Sequence, residues 1–270
     1  MTESVLIKER KDNLLFLRMN RPDRLNAING DLMDELLQAT QEAADDNSIR
    51  AVVLTGEGRS FCAGGDVRDG AKPKRKPGEE KPADPRQAMI DSQFERTQAS
   101  YLLHTMPKPT IALVRGAAMG AGMSLALACD YRIISDTAVF RSAFVNNALS
   151  GDYGIGYFLS KALGAPKAIE LLMLSQKLNA DDINALGLAT RLVADDQLME
   201  EGLAFAKKLA SGPTVAYAGV KQNIVASGTL ELKDYLRIES ENQVACTFTK
   251  DIREAGKAFI EKRAPVFKGE

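Results

Sequence analysis

Asp152 is the lone acid in "AVFRSAFVNNALSGDYGIGYFL", residues 138–159, where the only other charge is Arg141. A carboxylate among apolar neighbours is a candidate proton carrier, because desolvation lifts its pKa from about 4 toward neutrality. The same position suits a helix N-cap before "YGIGYFLSKAL", where an Asp side chain accepts from unpaired backbone N–H groups. These residues alone leave cap and catalyst open.

Two glycine-bearing stretches offer a second chemistry. In "SFCAGGD" (60–66) consecutive glycines follow an apolar run, so the backbone N–H can approach a ligand closely. In "RGAAMGAGMSLALACD" (115–130) a glycine loop runs straight into an apolar helix, whose first N–H groups have no internal partners and attract an anion. Gly116, Gly120 and Gly122 also have the GxxxGxG spacing of short-chain dehydrogenases, and Tyr157 with Lys161 forms YxxxK. Their placement argues against that class, since its glycine motif follows the first strand and its Tyr/Lys pair lies far downstream. No Gly-Lys-Ser/Thr follows either loop, which removes a phosphate-binding P-loop.

Other reactive residues are few. His104 is the only histidine, at the end of a predicted helix, and is expected to be satisfied by local packing. Cys62, Cys129 and Cys246 form no CxxC pair and read as small, buried, reduced thiols. No metal site is expected.

The elements that position these residues begin with a hairpin, "VLIKERKDNLLFLRMN", turning at Asp12-Asn13, and a helix over 30–46. "AVVLTG" (51–56) and "TIALVRG" (110–116) are buried-strand patterns, each feeding a glycine loop, which predicts α/β architecture. Between them "DGAKPKRKPGEEKPADPR" (69–86) is too charged and proline-rich to pack, and reads as a surface insertion or a flap over the first loop. Four helical patterns close the chain. We therefore expect an α/β core over 1–195 and a helical region over 196–270.

At 270 residues and 45% hydrophobic, the chain can bury a large core, and its net charge of −1 provides no field for nucleic acid or an anionic membrane. Any anionic ligand must be met by local charge. The N-terminus lacks a targeting pattern and no apolar run reaches membrane-spanning length, so a cytoplasmic location is expected.

Taken together, "MNRPDRLNAI" (19–28), "RSFCAGGDV", "VRGAAMGAGMSLALACDYRI", "LNADDINALGLATRLV" and "AGKAFIEKR" (255–263) resemble the enoyl-CoA hydratase/isomerase (crotonase) superfamily over nearly the whole chain. The resemblance implies a spiral of ββα turns and a C-terminal helical region that forms a homotrimer, often paired as a dimer of trimers. It implies an acyl-CoA thioester as substrate and no separate cofactor. By the same resemblance the N–H groups of Gly65 and Ala121 would hold the thioester oxygen. Arg24 would lie near the adenosine phosphates, Ala63 and Asp66 beside the adenine, and Phe259 with Lys262 against a neighbouring subunit's nucleotide.

The chain departs from the family where hydration draws on two glutamates, since those positions read Ser124 and Phe144. Neither side chain can deprotonate water near neutral pH. By the resemblance Asp152 aligns with the working aspartate of several superfamily members, including dienoyl-CoA isomerases and a chlorobenzoyl-CoA dehalogenase, and Phe144 beside it would dry the acyl pocket. The resemblance thus implies an enoyl-CoA isomerase of double-bond or ring-epoxide type. A hydratase using Asp152 alone and a non-catalytic CoA-binding protein are the alternatives.

Overall fold

A computed structural model describes residues 4–68 and 83–270. Strands β1 (Leu6–Lys11) and β2 (Leu14–Met19) form the expected hairpin, with Asp12 in the left-handed region at the turn. Strands β3 (Ala51–Gly56), β4 (Thr110–Val114), β6 (Tyr131–Ser135) and β8 (Arg191–Val193) extend it into a six-stranded sheet, ordered β1-β2-β3-β4-β6-β8. All pairings after the first are parallel. The central strands are buried on both faces, as continuous apolar runs such as "AVVLT" require.

Each turn of the chain also lays a short segment into a second, narrow layer. It contains β5 (Ala117–Met119) paired with β7 (Val139–Arg141), and single bridges join Ile28 to Gly65, Cys62 to Ala118 and Phe140 to Leu178. A long strand, a short strand and a helix per turn produce the spiral.

Helix α1 (Gly30–Asp45) starts where the Asn29 side chain accepts from the Leu32 N–H. It ends where buried Lys108 donates to the Ala43 and Asp46 carbonyls at 2.6 and 2.9 Å. Helix α2 (Pro85–Thr105) begins inside the stretch read as unpacked, because Asp84 caps Arg86 and Gln87 and Pro85 occupies the first turn. The rest of that insertion, with the question of a flap, lies outside the described residues.

Helices α3 (Ala121–Ala128), α4 (Ile155–Leu163), α5 (Ala165–Leu174) and α6 (Ala180–Ala185) join α1 and α2 over one sheet face around the larger core. Helix α7 (Leu198–Ala210) covers the opposite face, burying Leu198, Ala206 and Leu209 against Phe16, Val53, Ile111 and Leu113. The packed sheet therefore takes in a helix from beyond residue 195. Helices α8 (Thr214–Ser227), α9 (Leu232–Thr247) and α10 (Lys250–Glu261) follow.

His104 is held edge-on by the Tyr157 and Phe158 rings, at centroid distances of 5.9 and 5.2 Å, and burial lowers its pKa. Cys62 and Cys129 are buried, which pushes each thiol up to about 12. Cys246, expected to be buried, is only half-buried, because α9 has no buried residue.

Candidate active site

The two glycine loops are stitched together by backbone. Cys62 donates to the Ala117 carbonyl at 2.8 Å, and Met119 donates back to the Cys62 carbonyl at 2.9 Å. Glycine is required at this seam. A Cβ on Gly122 would stand 2.3 Å from the Cys62 oxygen, and one on Gly64, at φ +92°, would stand 2.8 Å from the Met119 oxygen. Asn26 anchors the first loop from below: it is fully buried, and its Nδ2 donates to the carbonyls of Glu57 and Ser60 at 2.9 and 2.7 Å. This gives "RLNAI" a structural role in holding the loop.

Gly65 pairs with Ile28 as a parallel bridge, in which Ile28 donates to Gly64 and Asp66 donates to Ile28. That pattern turns the N–H of Gly65 away from Ile28. Ala121 opens α3, so its N–H has no intrahelical acceptor. Among the described residues neither N–H has a backbone partner. Both residues line one cleft of about 850 Å³, with Arg24, Ala63, Asp66, Phe144 and Asp152. Seven of the ten residues expected at the site are thus brought together.

The other three are placed elsewhere. Ser124 is fully buried behind the cleft wall; its Oγ donates to the Asp152 carbonyl at 3.1 Å. Phe259 and Lys262 lie at the end of α10, with Phe259 86% exposed, and neither reaches this chain's cleft.

Asp152 does not cap α4. The N-cap is Gly154 at φ +80° and no side chain accepts from the helix's first turn. Instead the carboxylate faces α2, where Oδ2 accepts from Gln93 Nε2 at 3.4 Å, and Oδ1 is buried with no partner. Burial pushes the carboxyl up to about 6, and the Gln93 hydrogen bond opposes that rise. The adjoining Tyr153 is buried at φ +48°, a conformation that costs about 1–2 kcal/mol and that the surrounding packing holds in place.

Asp152 also borders a second cavity of about 590 Å³, lined by Met89, Ile90 and Phe94 of α2 and by Gly151. Among the described residues it is the only acid that lines this second cavity, and it lines the cleft as well. In the cleft, Asp66 is ion-paired with Arg21 at 2.9 Å. Gln93, which sequence reasoning missed, sits at the junction of the two spaces. Its identity as a neutral amide in a helix gave no compositional signal.

Comparison with known proteins places this geometry. The enoyl-CoA hydratase/isomerase family profile matches residues 9–270. A 1,2-epoxyphenylacetyl-CoA isomerase of Escherichia coli is 34% identical over 269 residues, covering all of both chains. A protein named a probable enoyl-CoA hydratase, EchA12, of Mycobacterium tuberculosis is 32% identical, covering 97% of this chain and 92% of its own. An enoyl-CoA hydratase structure from Polaromonas superposes with a TM-score of 0.86 at 30% identity, covering 97% and 99% of the two chains. A Thermobifida fusca relative solved in complex with CoA superposes at 0.79 and 29% identity, over 90% and 92%. With a spiral of strands, two stitched glycine loops and a family match across nearly its whole length, the chain belongs to the enoyl-CoA hydratase/isomerase family and has the crotonase fold.

Proposed function

We propose that the protein isomerises an unsaturated or ring-epoxide acyl-CoA, using Asp152 as the sole proton carrier. The observation behind this reading is a single desolvated carboxylate, at about pH 6 half ionised, where the family's hydration chemistry draws on two glutamates and this chain has Ser124 and Phe144. An ionised Asp152 takes a proton from the acyl chain. The electron pair moves onto the thioester oxygen, and the Gly65 and Ala121 N–H groups stabilise the resulting enolate. Donors of this kind are worth about 3–4 kcal/mol each in acyl transfer. The same carboxyl returns the proton at another carbon, so no water is added and no separate cofactor is invoked.

Arg24, Ala63 and Asp66, which line the same cleft, would take the CoA nucleotide. Phe259 and Lys262 would reach the nucleotide of a neighbouring copy in a homotrimer or a dimer of trimers. Among the described residues no helix is long and apolar enough to cross a membrane.

Mass spectrometry on a panel of 3-enoyl-, dienoyl- and aryl-epoxide CoA esters tests the reading. The expected product keeps the substrate's mass and changes its retention time, and Asp152→Asn abolishes its formation. A product heavier by one water favours hydration by Asp152 alone. CoA-ester binding without turnover favours a binding protein. Full turnover by a folded Asp152→Asn sinks the reading.

A further inference from the structure

Resting on that reading, we infer that Gln93 is the positioning residue for Asp152: its carboxamide holds Oδ2 from α2, so that Oδ1 is the oxygen left to exchange the substrate's proton. The contact joins elements 59 residues apart in sequence, and the same side chain lines both the cleft and the second cavity. No ion pair joins Asp152 to a cation among the described side chains that line these spaces. Arg86 and Arg96 of α2 both line the second cavity, and Arg96 is paired with Asp34 at 3.4 Å. Among the described residues the other titratable groups that feel the Asp152 charge are Cys62 and Tyr153, and burial keeps both neutral.

The choice of an amide has a chemical logic. A cation at position 93 would hold the carboxylate ionised and make it a poor base, whereas an apolar residue would leave both oxygens unpartnered and the rotamer free. A neutral donor fixes the geometry and takes back only part of the basicity that burial confers. The bond is long at 3.4 Å, a common state for catalytic hydrogen bonds before substrate tightens them. Oδ1, buried and unpartnered, is the group whose desolvation an incoming C–H proton relieves.

The test reads Asp152 directly. In protein labelled with aspartate 13C-carboxyl, the signal missing from Asp152→Asn is followed against pH in the parent, Gln93→Met and Gln93→Lys. Losing one hydrogen bond to the ionised form should raise the midpoint by about half to one unit in Gln93→Met, and the lysine should lower it at least as far. With 3-hexenoyl-CoA or 1,2-epoxyphenylacetyl-CoA as probe, kcat should fall about tenfold in Gln93→Met, the size of one hydrogen bond, with KM held within twofold. If Gln93→Met fails to fold, Gln93→Glu replaces it, and its midpoint should also rise. Midpoints that stay put, or that move the same way for methionine and lysine, overturn the inference while an inactive Asp152→Asn leaves the functional reading intact. Full turnover by Asp152→Asn removes both.

Discussion

Substituting Gly122 by alanine tests whether the seam between the glycine loops sets the site. The added Cβ would lie 2.3 Å from the Cys62 oxygen, 2.7 Å from its Cβ and 2.9 Å from its Sγ. Ordinary contact begins near 3.4 Å, so the loops must separate by about 1 Å. Overpacking on this scale costs about 1–3 kcal/mol. The Cys62 oxygen that must move also accepts the Met119 N–H at 2.9 Å, and weakening that bond adds about 1 kcal/mol. The total of about 2–4 kcal/mol corresponds to a Tm lowered by roughly 5–10 °C for a chain of this size. Because Ala121 is the neighbouring residue, a 1 Å displacement also costs about a hundredfold in kcat. Gly65→Ala is the control for stability, since a Cβ there meets nothing within 4 Å and its Tm should stay within about 2 °C. Thermal denaturation and steady-state turnover of both variants decide the matter. A Gly122→Ala protein with parental Tm and kcat would refute the claim that backbone contact between the loops holds the donors in place.

Three other outcomes follow from the packing. Burial raises the Asp152 carboxyl to about 6 in the folded protein, above its unfolded value of 3.8, so the native state binds more protons between those pH values and loses stability as pH rises through them. Asp152→Asn should therefore be more stable than the parent by about 1–3 kcal/mol at pH 7, with the difference gone below pH 4, as urea titrations at the two pH values would read. Ser124→Ala deletes the 3.1 Å bond to the Asp152 carbonyl and should cost about 1 kcal/mol in the same titration, with a several-fold loss of kcat. Lys108→Met leaves two carbonyls at the end of α1 without their buried donor and should lower stability by about 1–3 kcal/mol without changing KM; an unchanged urea midpoint would contradict this.

Much of the architecture was legible because β3 and β4, buried on both faces, read as apolar runs that each feed a glycine loop. The start of α2 was not, because Asp84-Pro85 closes a charged run whose composition outweighs a two-residue cap signal. The pattern of Leu198, Ala206 and Leu209 marked a buried face on α7 but not the sheet it covers, since periodicity names the face and never its partner. At the site, Asp152 stood out as a lone acid, yet only the backbone, which makes Gly154 the N-cap, shows that it does not cap α4. Ser124 was expected in the pocket and lies behind its wall, bonded to a residue 28 positions away, a contact that no local pattern encodes. Gln93 was invisible for the same reason.

The stitch between Cys62 and the Ala117–Met119 strand separates two lengths that sequence runs together. The loops carrying Gly65 and Ala121 are joined along the chain by more than fifty residues, but in space by three backbone hydrogen bonds, from Phe61 to Arg115, Cys62 to Ala117 and Met119 to Cys62. Their separation is thus independent of how long the intervening chain is. A change in the length of that chain therefore leaves the pair of N–H groups where the backbone pairing between the loops holds it.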